Sequence, residues 1–235
     1  MTYRDAILTY YDDATGERTA LTAAELGGWA AATAALLVRG CGLGPGSRAV
    51  IRLPPHWQTA AVLLGAWAAG VEVSHQSWAT AGLGASGSAT NAAFVSAARL
   101  RSLLEEPPLA RHRFVLGLAP HGGPTPAVPD GYRDFLAELR PYADAAPPGI
   151  ALDPEAVASV DGTTYGQWGA LATGIAEMHG ISRGDRVLID VARSEQPVQW
   201  LLAPLSVGAS IVLCANLDPA AVHERAAAER ISRIL

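Results

Sequence analysis

Two short segments that combine histidine, tryptophan and amide side chains are the strongest candidates for chemistry in this sequence. The segments are His56, Trp57, Gln58 and His75, Gln76, Trp78. Each follows a short apolar run typical of a buried strand, and ligands of open α/β sheets bind outside the carboxyl ends of the strands. We therefore expect both segments to face one crevice, where the indoles and amides bind a planar ligand and His56 and His75 act as acid–base catalysts. The alternative is that the indoles cover apolar surface and the histidines are solvated loop residues.

Arg193 and Glu195 lie at the corresponding place in a later part of the chain. They follow the apolar run Val187–Val191, which we expect to form another buried strand. Arg193 is therefore a candidate ligand-binding residue, and Glu195 is a third candidate for acid–base catalysis.

Several better-known motifs lack the residues or the surroundings that they need. The stretch Gly82–Gly87 fits the spacing G-x-G-x-x-G, but no strand directly precedes it, so we expect a flexible linker. The six histidines show neither H-x-H nor H-E-x-x-H, and we expect no metal site. The sequence contains no G-x-S-x-G elbow, which leaves a nucleophilic hydrolase unsupported.

The composition narrows the classes of function. All 17 basic residues of the Lys and Arg types are arginine, so the sequence contains no lysine. This excludes catalysis through a lysine Schiff base or a lysine general base, and phosphate binding by a lysine. The net charge of −5 argues against nucleic acid and anionic membranes as partners. The two cysteines lack the spacing of metal ligands. The sequence also shows neither a signal-peptide pattern nor an unbroken apolar run of ~20 residues, so we expect a cytoplasmic protein.

The chain contains two copies of one sequence pattern. GLGPGSRAVI at Gly42–Ile51 aligns with GISRGDRVLI at Gly180–Ile189 without a gap. Trp29 aligns with Trp168 once a gap of a single position is allowed. Each copy predicts helix, turn, strand, loop, helix, turn and strand. We therefore predict an α/β fold of two pseudo-repeated α-β-α-β half-domains with mainly parallel sheets.

The division into subdomains follows from the repeat. The first predicted subdomain is 1–152, which includes a Gly/Pro-rich insert, and the second is 153–235, a pseudo-repeat of 20–73. Thr22 and Glu25 form a capping-box pattern that predicts a helix from there to about Val38.

Two long stretches carry a family resemblance. They are GERTALTAAELGGWAAATAALL with GLGPGSRAVIRLPPHWQTAAVLLGAWAAGVEV, and GISRGDRVLIDVARSEQPVQWLLAPLSVGASIVLCANL. Both resemble the N-terminal subdomains of AMP-dependent synthetases and ligases, the superfamily of acyl-CoA synthetases, peptide-synthetase adenylation domains and luciferases. More narrowly, LTYYDDATGER and LPPHWQTAAVLLGAWAAG resemble a family of small, truncated actinobacterial proteins. The resemblance implies the adenylate-forming fold, whose two N-terminal subdomains are themselves related by pseudo-duplication.

The chain departs from that superfamily where phosphate would bind. A Ser/Thr/Gly-rich loop that ends in lysine is expected there, but the sequence has only Asp161, Gly162, Thr163 and Thr164, followed at once by the next helix. This segment is either a remaining nucleotide contact or an ordinary turn in which threonine caps a helix. Because the chain also stops at Leu235, before the superfamily's ribose-binding and catalytic-lysine regions, we expect that it does not run ATP-dependent acyl ligation.

Three classes of function follow from these observations. The first is a binding protein that has lost adenylation chemistry and retains part of an acyl, aryl or nucleotide pocket. The second is a repurposed enzyme of specialised metabolism that uses acid–base residues in the same groove, and the third is a scaffold with a vestigial groove. No cofactor is required in the first class, although AMP or ATP is a ligand that the resemblance implies. We also expect a homodimer, because the surface that a third subdomain covers in the larger enzymes needs another partner.

Overall fold

The computed structural model describes residues 6–80, 90–102, 106–123 and 125–235, and the Gly82–Gly87 motif lies outside these residues. The chain divides into two compact units. The first unit comprises Met1–Leu26, Pro55–Trp57 and Gly166–Leu235, and the second comprises Gly27–Pro54 and Gln58–Tyr165. Both units are discontinuous in the chain, whereas the sequence predicts the continuous subdomains 1–152 and 153–235, and that division stays a prediction.

The elements alternate as the repeat predicts. The strands are β1 Ala6–Asp12, β2 Glu17–Thr22, β3 Arg48–Arg52, β4 Glu72–His75, β5 Thr90–Ser96, β6 Ala110–Leu116, β7 Arg133–Asp134, β8 Arg186–Asp190, β9 Ser210–Ala215 and β10 Arg233–Ile234. The α-helices are α1 Ala23–Ala35, α2 Trp57–Ala68, α3 Ala97–Leu100, α4 Phe135–Leu139, α5 Tyr165–Met178, α6 Ala203–Ser206 and α7 Val222–Glu229. A π-helical turn, Leu36–Gly40, follows α1, and another, Val198–Leu202, precedes α6.

The sheet of the first unit joins strands from distant parts of the chain. Its order is β10-β8-β9-β1-β2. β1 pairs with β9 in parallel, with Leu8 opposite Ile211, and forms an antiparallel hairpin with β2. The remaining pairs, β10 with β8 and β8 with β9, are parallel, so β8, β9, β10 and β1 all end at the same edge of the sheet.

The sheet of the second unit has the order β4-β3-β5-β6-β7, and every neighbouring pair is parallel. Its core is aromatic, because Phe94 on β5 stacks on Phe114 of β6 with the ring centroids 5.0 Å apart. Phe135 of α4 meets Phe94 edge-on at 5.7 Å. The sheet therefore presents the carboxyl ends of β3, β4 and β5 together at one edge, the place where ligands bind in such folds.

The internal repeat that the sequence predicts is present in the fold. The separation of Gly42 from Gly180 in the chain also separates the start of β3 from the start of β8, and the start of β4 from the start of β9. Three pairs of glycines at this same separation share a left-handed backbone with nearly equal φ angles, which only glycine adopts without strain. The pairs are Gly42 at 68° with Gly180 at 62°, Gly46 at 81° with Gly184 at 83°, and Gly70 at 72° with Gly208 at 76°.

The capping box at the start of α1 is confirmed. The backbone N–H of Thr22 donates to Oε2 of Glu25 at 2.8 Å, and the N–H of Glu25 donates to Oγ1 of Thr22 at 3.2 Å. Both groups would otherwise be unpaired at the helix start, so the pair fixes where α1 begins. Its α-helical part ends at Ala35 rather than near Val38, and the π-helical turn carries the chain on to Gly40.

The helices in the part of the chain that the structure describes are short or interrupted by polar residues. None of them is both long enough and apolar enough to cross a membrane.

Candidate functional site

The first predicted segment lies in the core. His56 is only 1% exposed, and its ring meets the ring of Tyr10 edge-on with the centroids 4.3 Å apart. Nε2 of His56 lies 4.0 Å from Oε2 of the buried Glu17. Burial lowers the pKa of His56, although the neighbouring Glu17 carboxylate acts in the opposite direction. This geometry is that of a core histidine beside a buried carboxylate.

Trp57 and Gln58 share this burial. Trp57 is the first residue of α2, and both side chains are buried where the helix begins. His56 and Trp57 belong to the first unit, whereas Gln58, His75, Gln76 and Trp78 belong to the second. The expectation that both segments face one crevice therefore remains a prediction, and so do the roles assigned to His56 and His75.

The second predicted segment forms a site within the second unit. Nη1 and Nη2 of Arg99 donate to the backbone carbonyls of Gln76 and Ser77 at 2.5 and 3.0 Å. The Arg99 guanidinium also lies 5.3 Å from the ring centroid of Trp78, a cation–π distance. Arg99 is buried, whereas Trp78 is 47% exposed. Arg99 thus fixes the loop after β4 and holds an exposed indole with a cation against its ring.

A second arginine reaches the same loop from the end of β3. Nε of Arg52 donates to Oε1 of Gln76 at 2.7 Å, and Nη1 donates to the carbonyl of Glu106 at 2.7 Å. Arg52, Gln76, Trp78 and Arg99 together are called the edge site below. The site combines two fixed positive charges with an amide and an exposed indole, which suits a planar anion.

Arg52 and Arg99 were not among the residues predicted from the sequence. Arg52 directly follows the apolar run Ala49–Ile51, so its place at a strand end was a usable signal. Arg99 lies shortly after β5, which forms from the alanine-rich stretch Thr90–Ser96. That stretch carries no alternating apolar and polar pattern that would mark it as a strand.

Arg193 and Glu195 lie in the first unit, in the loop after β8. Nε of Arg193 is 3.5 Å from Oδ2 of Asp190, and the arginine is largely exposed, whereas Glu195 is half-buried. Asp12, at the end of β1, accepts a hydrogen bond from Nδ2 of Asn216 at 2.7 Å. Carboxylates therefore lie at the ends of two strands of this sheet, Asp12 on β1 and Asp190 on β8. Among the residues that the structure describes, no group of three or more His, Cys, Asp or Glu side chains could hold a metal ion.

The segment Asp161–Thr164 forms a tight turn before α5. Oδ1 of Asp161 accepts from the N–H of Thr163 at 3.0 Å, and the N–H of Gly162 donates to the carbonyl of Ser159 at 2.9 Å. The N–H of Tyr165 donates to the carbonyl of Ala156 at 3.1 Å. A phosphate cradle needs several such N–H groups to converge on the ligand, whereas these three are bonded inside the protein. Both interpretations of this segment, a nucleotide contact and an ordinary turn, stay predictions.

Comparisons with known proteins place the chain in a family. No family model matches it. A Mycobacterium tuberculosis protein described as a TIGR03089 family protein is 37% identical over 233 residues, which cover 97% of this chain and 90% of the relative. The chain belongs to the TIGR03089 family. The family name by itself gives no activity for this member.

The fold of this TIGR03089 family member is that of the N-terminal part of adenylate-forming enzymes. Brucella canis acyl-CoA synthetase matches all of the chain with a TM-score of 0.71 at 17% identity, over 45% of its own length. The N-terminal domain of FACL13 from Mycobacterium tuberculosis matches with a TM-score of 0.68 at 16% identity, covering 97% of this chain and 57% of the domain. Mycobacterium smegmatis MbtA matches with a TM-score of 0.66 at 22% identity, covering 98% of this chain and 44% of the MbtA chain. The chain therefore spans about half the length of these structures, and the likeness shows the fold alone.

Proposed function

We propose that this TIGR03089 family member binds a small planar anion at the edge site without adenylating it. The observation that carries the proposal is the arrangement of Trp78, which is half-exposed, with Arg99 against its ring and Arg52 fixed beside it through Gln76. A guanidinium binds carboxylate or phosphate oxygens through paired, charge-assisted hydrogen bonds. An indole adds stacking area for an aryl group or a base. The ligand classes are those of the acyl, aryl or nucleotide pocket predicted from the sequence.

The proposed loss of adenylation rests on the chain's own residues. Transition-state charge in phosphoryl chemistry is stabilised by fixed cations and backbone N–H groups. The sequence contains no lysine, and three of the N–H groups at Asp161–Tyr165 are bonded within the turn. Acyl-CoA synthetases share this fold, but their activity does not follow from the fold.

Acid–base catalysis remains the alternative function. His75 lies at the end of β4, directly before Gln76 of the edge site, and it is the predicted catalytic residue best placed for that role. His56 is buried in the first unit, and Glu195 also lies there. An enzyme would lose turnover and keep binding when His75 is replaced by alanine. A binding protein would show no turnover of the bound anion in either form.

Arg48 offers a matched control for the edge site. Arg48 and Arg52 are the two ends of β3, and Arg48 pairs with Glu72 at 3.1 Å. Replacing Arg52 with glutamine should weaken binding of benzoate or AMP by about tenfold or more, because a charge-assisted hydrogen bond is lost. Arg48→Gln removes the same charge at the other end of the strand and should leave the affinity unchanged. Calorimetric titration measures the affinity of both variants for the anion. Equal losses of affinity in the two variants would contradict binding at the edge site.

A further inference from the structure

Tyr132 covers the face of the second unit's sheet next to the edge site. Its ring packs against Val50 of β3, Ala93 and Val95 of β5. The Cζ atom of Arg113, on β6, lies 5.3 Å from the centroid of this ring. The face is apolar in its centre at β5, and an arginine lies on each of the two flanking strands, Arg52 on β3 and Arg113 on β6.

The hydroxyl of Tyr132 is buried, and no group in the described part of the chain accepts or donates a hydrogen bond to it. Burial raises the pKa of this hydroxyl, while Arg113 and then Arg52 act to lower it. Arg52 is the neighbour in the sheet of Val95, against which Tyr132 packs. A buried hydroxyl without a partner is uncommon, because it loses its hydrogen bonds to water without replacement. An internal water or a ligand atom would restore them.

The two arginines beside this hydroxyl also lack acidic partners in residues 6–80, 90–102, 106–123 and 125–235. No ion pair there includes Arg52 or Arg113, whereas Arg48, Arg133 and Arg225 each bind a carboxylate. Arg52 uses Nε and Nη1 for Gln76 and Glu106, which leaves its Nη2 group to face other acceptors. Arg52, Arg113 and Tyr132 therefore share one face of the sheet, and no carboxylate of the described chain pairs with either arginine.

We infer that Arg52, Arg113 and Tyr132 form an oxyanion pocket that continues the edge site and selects a phosphate monoester over a monocarboxylate. The inference rests on the proposed function and names its ligand class. A phosphate monoester carries nearly two negative charges and three acceptor oxygens, which match two guanidinium groups and one hydroxyl donor. A carboxylate carries one charge and two oxygens. Because Arg52 belongs to both the edge site and the oxyanion pocket, the planar group of the ligand would stack on Trp78 while its phosphate enters the pocket.

Phenyl phosphate and benzoate are the probes that separate these ligand classes. In calorimetric titrations of the full chain at pH 7.5, phenyl phosphate should bind about tenfold more tightly than benzoate or better, since it gains a charge and a third acceptor. Tyr132→Phe removes only the hydroxyl, so it should weaken phenyl phosphate binding about tenfold, change benzoate binding less than about twofold and leave the melting temperature unaltered. Arg48→Gln, which removes a positive charge at the other end of β3, should alter neither affinity.

The pH profile supplies a second readout. The second ionisation of a phosphate monoester lies at about pH 6, so the preference for phenyl phosphate should grow between pH 5 and 7 while benzoate affinity stays flat. Equal affinities for the two probes, or an unchanged phenyl phosphate affinity in Tyr132→Phe, would overturn the pocket and leave the edge site standing. Failure of both probes to bind would overturn the proposed function together with the pocket.

Discussion

Arg48 and Arg186 occupy the same position in the two copies of the repeat, yet their surroundings differ. Arg48 has a side chain that is 45% exposed and pairs with Glu72. Arg186 is 11% exposed and donates to Glu229 and to Oγ1 of Thr9, while Arg18 and Tyr11 also donate to the same glutamate. The local pattern produces the same strand and the same turn in both copies. The surroundings of each copy decide whether its arginine is a surface charge or part of a buried network.

The carboxyl edges of the two copies differ in the same way. Arg52 ends β3, and Asp190 ends β8 at the equivalent position of the second copy. The second unit therefore carries a positive charge at this position and the first unit a negative one. The repeated fold has thus placed opposite charges at equivalent strand ends. The edge site belongs to the copy with arginine at that position.

The largest expected difference between the copies is in stability. Arg186→Met removes one partner of a buried ion pair and should lower the free energy of unfolding by about 3 kcal/mol. Arg48→Met removes an exposed ion pair, and the loss should stay below about 1 kcal/mol. Urea unfolding of the two variants checks the comparison. Losses that agree to within about 0.5 kcal/mol would show that burial does not distinguish these arginines.

A second difference concerns the contact between helices. A Cβ built on Gly65 of α2 would lie 2.5 Å from Cβ of Thr33 and 2.7 Å from the carbonyl oxygen of Ala30, both on α1. The second copy has Ala203 at the equivalent position, where it is fully buried. Gly65→Ala should therefore destabilise the protein by about 2 kcal/mol through overpacking.

Gly174→Ala is the control for that change. Gly174 lies in α5 with nothing within 4 Å of its Cβ position, so alanine should stabilise the helix by up to about 1 kcal/mol. Thermal unfolding of the pair measures both effects. A stabilising Gly65→Ala would contradict the close approach of α1 and α2.

The buried network of the first unit should also respond to acid. Burial acts to raise the pKa of Glu229, but hydrogen bonds from Tyr11, Arg186 and Arg18 outweigh it and hold the pKa below the ordinary value of 4.5. The stability that the ionised Glu229 contributes is therefore complete above about pH 4.5, and it is lost as the pH falls through the lowered pKa of Glu229. The stability difference between the unaltered protein and Glu229→Gln should shrink from pH 6 to pH 3. A constant difference would contradict the role of the ionised carboxylate.

The smallest expected effect is on self-association. α5, the counterpart of α1 in the second copy, exposes Leu171 and 78% of Met178, with Glu177 as its one charged residue. Such an exposed apolar helix face is typical of an interface, so the predicted homodimer should use it. Sedimentation velocity at high protein concentration should show dimers that Met178→Glu dissociates, while Leu109→Glu, another exposed apolar site, changes nothing. A monomeric unaltered protein would refute the homodimer.

The sequence predicted what local patterns determine. The capping box at Thr22 located the start of α1, and the apolar run Val187–Val191 located β8 to within one residue. The pairing of β1 with β9 was missed, because no local pattern reports a partner from the opposite end of the chain. The burial of His56 was missed for a similar reason, since Tyr10 and Glu17 reach it through the fold.

The edge site was predicted in part. Gln76 and Trp78 were identified because strand ends are visible as the ends of apolar runs. Arg99 was not, since its relation to Gln76 depends on the parallel pairing of β5 beside β3. Tyr132 and Arg113 lie on a face whose composition is set by three strands, and no single segment of sequence shows it.

One titration tests the central claim of anion binding without adenylation most directly. The full chain would be titrated calorimetrically with phenyl phosphate, benzoate and AMP, and pyrophosphate release would be followed in parallel with ATP and Mg²⁺. We predict saturable binding that Trp78→Ala and Arg52→Gln weaken by about tenfold or more, with no pyrophosphate released. Release of pyrophosphate in the presence of an acid, or no binding of any of the three anions, would contradict the claim.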